Sequence, residues 1–345
     1  MDKVQQILEC VVVNNDSENL IAHYTTATVS YLMLNHDQRK YDDLAESERP
    51  SYLRLNPIHF MNDPTEGLLI SKLFNLDFKW KEDQKYLEHS KAFIGCFTLH
   101  QDSLNQFRLY GKENGKEASG VSLILEREKL FSNKSNFSFI NKPIEFKISL
   151  LNEATDASKK KNELIEQYDF KLPLYLCIYY DPESGLIHLA HREEWTFCRQ
   201  EQNAESAQWV NYKKEIDDIT KKVRDLIGEV NTSLETLMNV LNEKSVEFYE
   251  ILDEILLPLR YLIKHYAFKE EQECRAIYIS TLDDKRVKLD RNLKRIYVDY
   301  VNILPMIKKI YLPSGALQHE SALQYLGQTS LYGKFEVKRS HNPFR

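Results

Sequence analysis

Between residues 204 and 258 the chain changes character, and that change constrains what can surround it. Ile216, Ile219, Val223, Leu226, Val230, Leu234, Leu237 and Leu241 recur at steps of three and four with charged residues between them. That is the period of an amphipathic helix. The spacing predicts a long helix broken near Asn242 and a second helix over residues 245–263. Because the heptad run is too short for a free coiled coil, the expected arrangement is a helical hairpin packed into a core.

On either side, the apolar runs have the length and alternation of strands. Leu20–Thr26 alternates, residues 92–100 form a nearly continuous apolar run suited to a buried strand, and Gly120–Glu126 is a third strand. Further strands are expected over 51–56 and 144–150, and residues 172–190 read as a hairpin turning at Asp-Pro-Glu-Ser-Gly. The chain returns to strands at 273–280, 295–300, 307–313 and 334–340. Short helices are expected at 4–13, 27–36 and from about Glu66, with a helix or turn at 103–115. Strands at both ends with helices between them make an α+β chain with a mixed or antiparallel β core. The expected division is 1–200 and 261–345 as one core, with 204–258 as a helical insertion.

Composition narrows the function classes. Only ten of 345 residues are glycine, and the one local group, Gly111, Gly115 and Gly120, fits neither a dinucleotide fingerprint nor a Walker loop. A net charge of -6 argues against a dedicated DNA-binding face. The five cysteines, Cys10, Cys96, Cys177, Cys198 and Cys274, are scattered without a Cys-x-x-Cys pair, as expected of reduced, mostly buried thiols. With no cleavable-signal layout and no long uncharged apolar window, a cytoplasmic location and no membrane partner are expected.

Four places hold conspicuous polar residues. The first is His23-Tyr24 inside an apolar strand, where a satisfied structural histidine is the ordinary alternative. The second is Asn62, Asp63 and Glu66 in a turn that could equally be a helix cap. The third follows Cys96-Phe97-Thr98 and includes Gln106, Arg108 and Tyr110, Arg108 being able either to pin an anion or to pair with a surface acid. The fourth is Glu271, Glu273 and Arg275, whose alternation puts them on one strand face. That row could be a solvent-facing ion-pair ladder or a polarising Glu held by Arg. Metal chemistry has less support: His188, His191 and Glu194 lack a His-Glu-x-x-His frame, and on a strand the two histidines would point to opposite faces. No nucleophile elbow is present, and Cys96 sits among apolar residues.

Taken in order, these motifs resemble the bacterial domain-of-unknown-function family 2971. The matching pieces are His23-Tyr24, Phe60 with Asn62-Asp63-Pro64 and Glu66, Cys96-Phe97-Thr98, Gln106 to Gly111 followed by Gly120-Val121, then Glu271, Glu273 and Arg275, and finally Ser340, Pro343 and Arg345. Phe107 departs from the family's usual Trp, and the helical stretch at 204–258 is an elaboration. More distantly, the layout resembles the ADP-ribosyltransferase superfamily. That resemblance implies a core that binds NAD as substrate and transfers ADP-ribose to a protein or nucleic acid, in a toxin, effector or defence role. It implies catalytic roles for Glu273, His23 and Glu271, with Thr98 or Tyr110 in the second-strand position. Tyr24, Thr98, Arg108, Tyr110, Asn62, Asp63 and Arg275 would contact the nucleotide, and no metal is expected. The alternatives are a non-catalytic nucleotide- or protein-binding module, with the helical insertion as its partner surface, and a metal-dependent hydrolase using His59, Asp63 and Glu66.

Overall fold

The computed structural model describes residues 1–14, 18–34, 52–58, 67–76, 91–110, 112, 115, 117–135, 171–201, 206–240, 246–330 and 334–343. In chain order the elements are α1 (Asp2–Cys10), β1 (Leu20–Thr26), α2 (Ala27–Leu34), β2 (Leu53–Pro57), α3 (Leu69–Leu73), β3 (Lys91–Thr98), α4 (Leu104–Tyr110), β4 (Gly120–Glu126) and α5 (Arg127–Leu130). There follow β5 (Leu174–Leu176), β6 (Ile178–Tyr180), β7 (Ile187–Leu189), α6 (Glu194–Gln200), α7 (Ser206–Val240), α8 (Val246–Arg260) and β8 (Ile263–His265). The chain ends with β9 (Glu273–Ser280), β10 (Val287–Asp290), β11 (Arg295–Val301), β12 (Ile307–Leu312), α9 (Glu320–Thr329) and β13 (Glu336–Arg339). The architecture is α+β. The strand expected at 144–150 and the Asn62-Asp63 turn lie outside the described residues.

Ten strands form one mixed sheet, mostly antiparallel, with a parallel β12–β13 pair at one end. A second sheet of three strands runs β7-β6-β8. The run at 172–190 does turn at 181–185, but its first part leaves the hairpin. Cys177 interrupts it, so β5 joins β9 in the large sheet while β6 pairs β7 in the small one. One uninterrupted apolar run thus feeds two sheets, which alternation alone does not reveal.

The large sheet divides at β3. Along one edge, β9 pairs with β3 from end to end, Lys91 opposite Ser280 through Thr98 opposite Glu273. The other edge is shared: β2 takes Phe93 and Ile94, and β1 takes Thr98 through Ala22. This register assigns the faces. Ala22 and Glu273 both lie opposite Thr98, so Ala22, Tyr24, Thr98, Glu273 and Arg275 share one face. His23 and Phe97 occupy the other, where their rings lie 5.6 Å apart.

The His23 face carries the main core, including Ile21, Phe93, Phe97, Val121, Leu123 and Cys274. The Glu273 face carries a smaller cluster of Ala22, Tyr24, Phe107, Ala118 and Ile124 under α4. In α7 the buried row is Tyr212, Ile216, Thr220, Val223, Leu226, Ile227, Val230 and Leu234, the helical period read from the sequence. Leu237, counted in that stripe, is instead exposed. The two long helices both pack on α1, and their buried leucines join the main core. The two helices of the expected hairpin thus meet on α1, which supplies the apolar face each of them needs. Among the described residues no helix is long and apolar enough to cross a membrane. All five cysteines are free thiols; Cys177 and Cys274 are buried, and Cys198 is exposed.

Candidate functional site

The large and small sheets meet at the start of β9. Glu271 ends a 3-10 turn (Tyr266–Glu271), and Gln272 takes a left-handed backbone, φ +47°, before the strand begins at Glu273. The expected simple alternation is thus broken at Gln272, yet both carboxylates still reach one cation. Lys264 on β8 donates to Glu271 Oε2 at 2.6 Å and also contacts Glu273 Oε2. Arg275 closes the other side, its Nε donating to Glu273 Oε1 at 2.7 Å and its Nη1 to the Tyr261 carbonyl at 2.6 Å. The Tyr179 hydroxyl accepts from the backbone N–H of Glu273 at 2.9 Å.

This is a buried cluster of two carboxylates and two cations, not a ladder on a solvent face. Glu273 is 4% exposed and Arg275 1%. Burial opposes the charge on Glu273, but Arg275 and Lys264 outweigh it and hold the carboxyl well below the ordinary range. Glu271 goes the other way: burial and the neighbouring Glu273 charge push it up, with Lys264 pulling against them. Burial pulls the Lys264 ammonium down, yet Glu273 and Glu271 hold it above its ordinary value. Burial beside Glu273 pushes the Cys96 thiol and the Tyr110 hydroxyl far up, so both stay protonated. Of the two carboxyls, Glu271 is the one whose protonated form its surroundings favour.

The other expected site residues divide sharply. Thr98 is on the Glu273 face, but its hydroxyl donates to the Glu271 carbonyl at 2.6 Å, so it braces the turn. Tyr24 shares that face, with its hydroxyl donating to the His100 carbonyl at 2.9 Å and accepting from the Ser103 N–H at 2.7 Å. Tyr110 is half-buried at the end of α4, close enough for both glutamates to influence its hydroxyl. Arg108 is exposed on α4 and forms no ion pair with a described residue. Arg275 spends its guanidinium inside the cluster and is closed to a ligand, so it serves as a support. Asn62, Asp63, Glu66 and His59 lie outside the described residues.

His23 is separated from the rest. It stands on the opposite face, and its Nδ1 lies 3.0 Å from the Cys96 carbonyl in the stretch of β3 edge left between β2 and β1. A carbonyl only accepts, so Nδ1 carries the proton. Burial keeps the imidazole pKa below its usual value, and the ring stays neutral. The histidine replaces a missing ladder bond where the sheet divides. It does not face Glu273, and the expected catalytic role is withdrawn for that reason.

His188 and His191 correct a second expectation. Their ring centroids lie 4.6 Å apart because the strand ends at Leu189 and the chain turns. Even so, no group of three or more His, Cys, Asp or Glu suited to a metal ion occurs among the described residues.

Two residues of the site were not singled out from the sequence. Lys264 follows the apolar run at 261–263, and a lone charge ending such a run was the available signal. Asp102 is 6% exposed and accepts from Arg199 Nη2 at 2.8 Å. It also accepts from Ser340 Oγ at 2.5 Å and from Asn342 Nδ2 at 3.0 Å. Its partners come from α6 and from residues 340–342, far from it in sequence, so no local pattern marks it.

The fold and this cluster define an α+β protein with a charge-paired carboxylate centre at the junction of two sheets. Residues 106–276 match a family model described as a protein of unknown function, DUF2971. The matched region takes in Gln106 to Gly111, Gly120-Val121 and the Glu271, Glu273, Arg275 row. No curated protein matches the chain, and no solved structure does.

Proposed function

We propose that Glu271 and Glu273 form the reaction centre of an enzyme that breaks an N-glycosidic bond in NAD or a related nucleotide, in the manner of ADP-ribosyl transfer. The observation that carries the reading is the divergence of the two carboxyls. Environments that drive neighbouring titratable groups apart assign acid–base roles. Glu273 is a fixed anion, and Glu271 is the carboxyl whose proton can move.

The chemistry balances on these groups. The bond from ribose C1′ to the pyridinium nitrogen breaks, and its electron pair neutralises the departing nicotinamide. The oxocarbenium-like carbon gains stabilisation from the fixed Glu273 carboxylate. An acceptor O–H or N–H then attacks C1′ and gives its proton to the Glu271 carboxylate. His23 has no part in this scheme, so positioning of the nucleotide falls to residues on the Glu273 face, Tyr110 among them, whose hydroxyl feels the charge of both glutamates.

A specific observation favours a second reading, the non-catalytic binding module. Both oxygens of Glu273 are occupied by protein cations, and Arg275 is closed off. A network that satisfies itself in this way is also how a purely structural cluster is built. The test is NAD consumption with nicotinamide release, measured beside calorimetry with NAD. Turnover that falls about 10²–10³-fold in Glu271→Gln supports the enzyme. Equal consumption by wild type and Glu271→Gln sinks the mechanism, and binding without turnover leaves the module.

A further inference from the structure

The segment 99–103, which follows β3, is tied down at almost every backbone group. The Leu99 N–H donates to the Gln272 carbonyl at 3.0 Å, and the Leu99 carbonyl accepts from Gln200 Nε2 at 3.1 Å. The His100 N–H donates to Thr98 Oγ1 at 3.0 Å, while the His100 carbonyl and Ser103 N–H bracket the Tyr24 hydroxyl. Ser122 Oγ donates to the Gln101 carbonyl at 2.7 Å. At the centre is Asp102, whose carbonyl accepts from Asn342 Nδ2 at 2.9 Å. Its carboxylate accepts from Ser340, Asn342, the His341 N–H and Arg199.

Thr98, at the head of this segment, hydrogen-bonds the carbonyl of Glu271, and Leu99 bonds that of Gln272. Displacement of 99–103 therefore moves the backbone that carries Glu271. The residues holding Asp102 from the other side, Ser340 to Asn342, follow the last strand, and they are fixed to the sheet by the Ser340 N–H on the Leu312 carbonyl at 2.6 Å.

We propose that residues 340–342 are a latch for the reaction centre, and that Asp102 is the positioning residue through which they set the Glu271 turn. The inference rests on the Glu271–Glu273 reading for its activity consequence; the mechanical link is independent of it. A buried carboxylate meeting three chain segments is satisfied only when all three are in place. Asp102 thereby couples the end of the chain to a turn distant in sequence. Misplacement of a reacting group by about 1 Å can cost on the order of 10²-fold in rate.

The experiment uses full-length chains carrying Asp102→Asn, Asn342→Asp, and the two together, which exchanges carboxylate and carboxamide across the contact. Ser340→Ala serves as a milder variant should either single change prevent folding. Backbone hydrogen exchange and NAD turnover are both measured. Each single variant is expected to exchange faster at 99–103 and 271–273 than elsewhere and to lose about tenfold or more in kcat with KM little changed. The exchanged pair restores the 102–342 contact but not the Arg199 ion pair, and is expected to regain part of both. Wild-type exchange rates at 99–103 in the single variants, or loss of protection spread evenly along the chain, overturn the latch. No NAD binding or turnover by wild type overturns the reaction reading instead, and the exchange data then decide the latch alone.

Discussion

Glu271 and Glu273 share the ammonium of Lys264, yet their carboxyls are driven in opposite directions, Glu271 up and Glu273 down. The asymmetry comes from Arg275, which pairs with Glu273 through Nε and Nη2. The cluster as a whole is neutral when both acids are ionised, and one proton on Glu271 makes it a cation.

The first prediction concerns charge balance. Glu273→Gln leaves Arg275 and Lys264 with one uncompensated buried charge and should cost about 3–5 kcal/mol. Lys264→Met should cost a similar amount by stranding the two acids. Adding Glu271→Gln to Lys264→Met removes one charge of each sign and should recover at least ~1 kcal/mol. Urea unfolding of wild type, Glu273→Gln, Lys264→Met, Glu271→Gln and the double variant at pH 7 checks this. A pair of additive losses would show that Lys264 and Glu271 do not interact.

The second prediction is a pH dependence with opposite signs. Glu273 has a depressed native pKa, so its contribution is present above the unfolded value and is lost as pH falls through the native one. Glu271 has a raised native pKa, so its contribution is complete below the ordinary carboxyl value and is lost as pH rises through the native one. Glu271→Gln should therefore flatten the decline in stability above about pH 4 that this group imposes. Unfolding free energies measured across the acid and neutral range would reveal an unchanged slope if Glu271 were an ordinary surface carboxyl.

Much of this architecture was legible because its periods are local. The bounds of β1 and β4 follow from alternation and apolar runs, and α7 from steps of three and four. The faces were not legible. Whether His23 or Tyr24 looks toward Glu273 depends on Ala22 standing opposite Thr98, and a shift of one residue would reverse it. Pairing of β5 with β9 across the break at Cys177 is likewise a tertiary choice. Asp102 and Ser340 are 238 residues apart, beyond any spacing argument. The Glu271, Glu273, Arg275 row was found because its chemistry is local. Lys264, which completes it, comes from a different sheet.

Third, His23 should matter to the fold and not to chemistry. His23→Phe keeps an aromatic ring beside Phe97 but leaves the Cys96 carbonyl without its donor, at a cost of about 1–3 kcal/mol. Nucleotide binding and any turnover by the folded fraction should match wild type. Turnover abolished in a variant of near-native stability would mean that His23 reaches the reaction centre after all.

The fourth prediction takes the acid limb. Burial, together with His191 nearby, lowers the His188 pKa to about 4. A histidine with a depressed native pKa supports the fold above its unfolded value of about 6.5 and withdraws that support as pH falls toward the native value. His188→Phe removes the titration while keeping a ring against His191 and Tyr266. Its stability should therefore fall less than wild type between pH 6.5 and 4. Thermal unfolding at half-unit steps of pH measures the difference, and parallel curves for the two proteins would place the acid sensitivity elsewhere, with His100 next in line because burial lowers its pKa to about 4 as well.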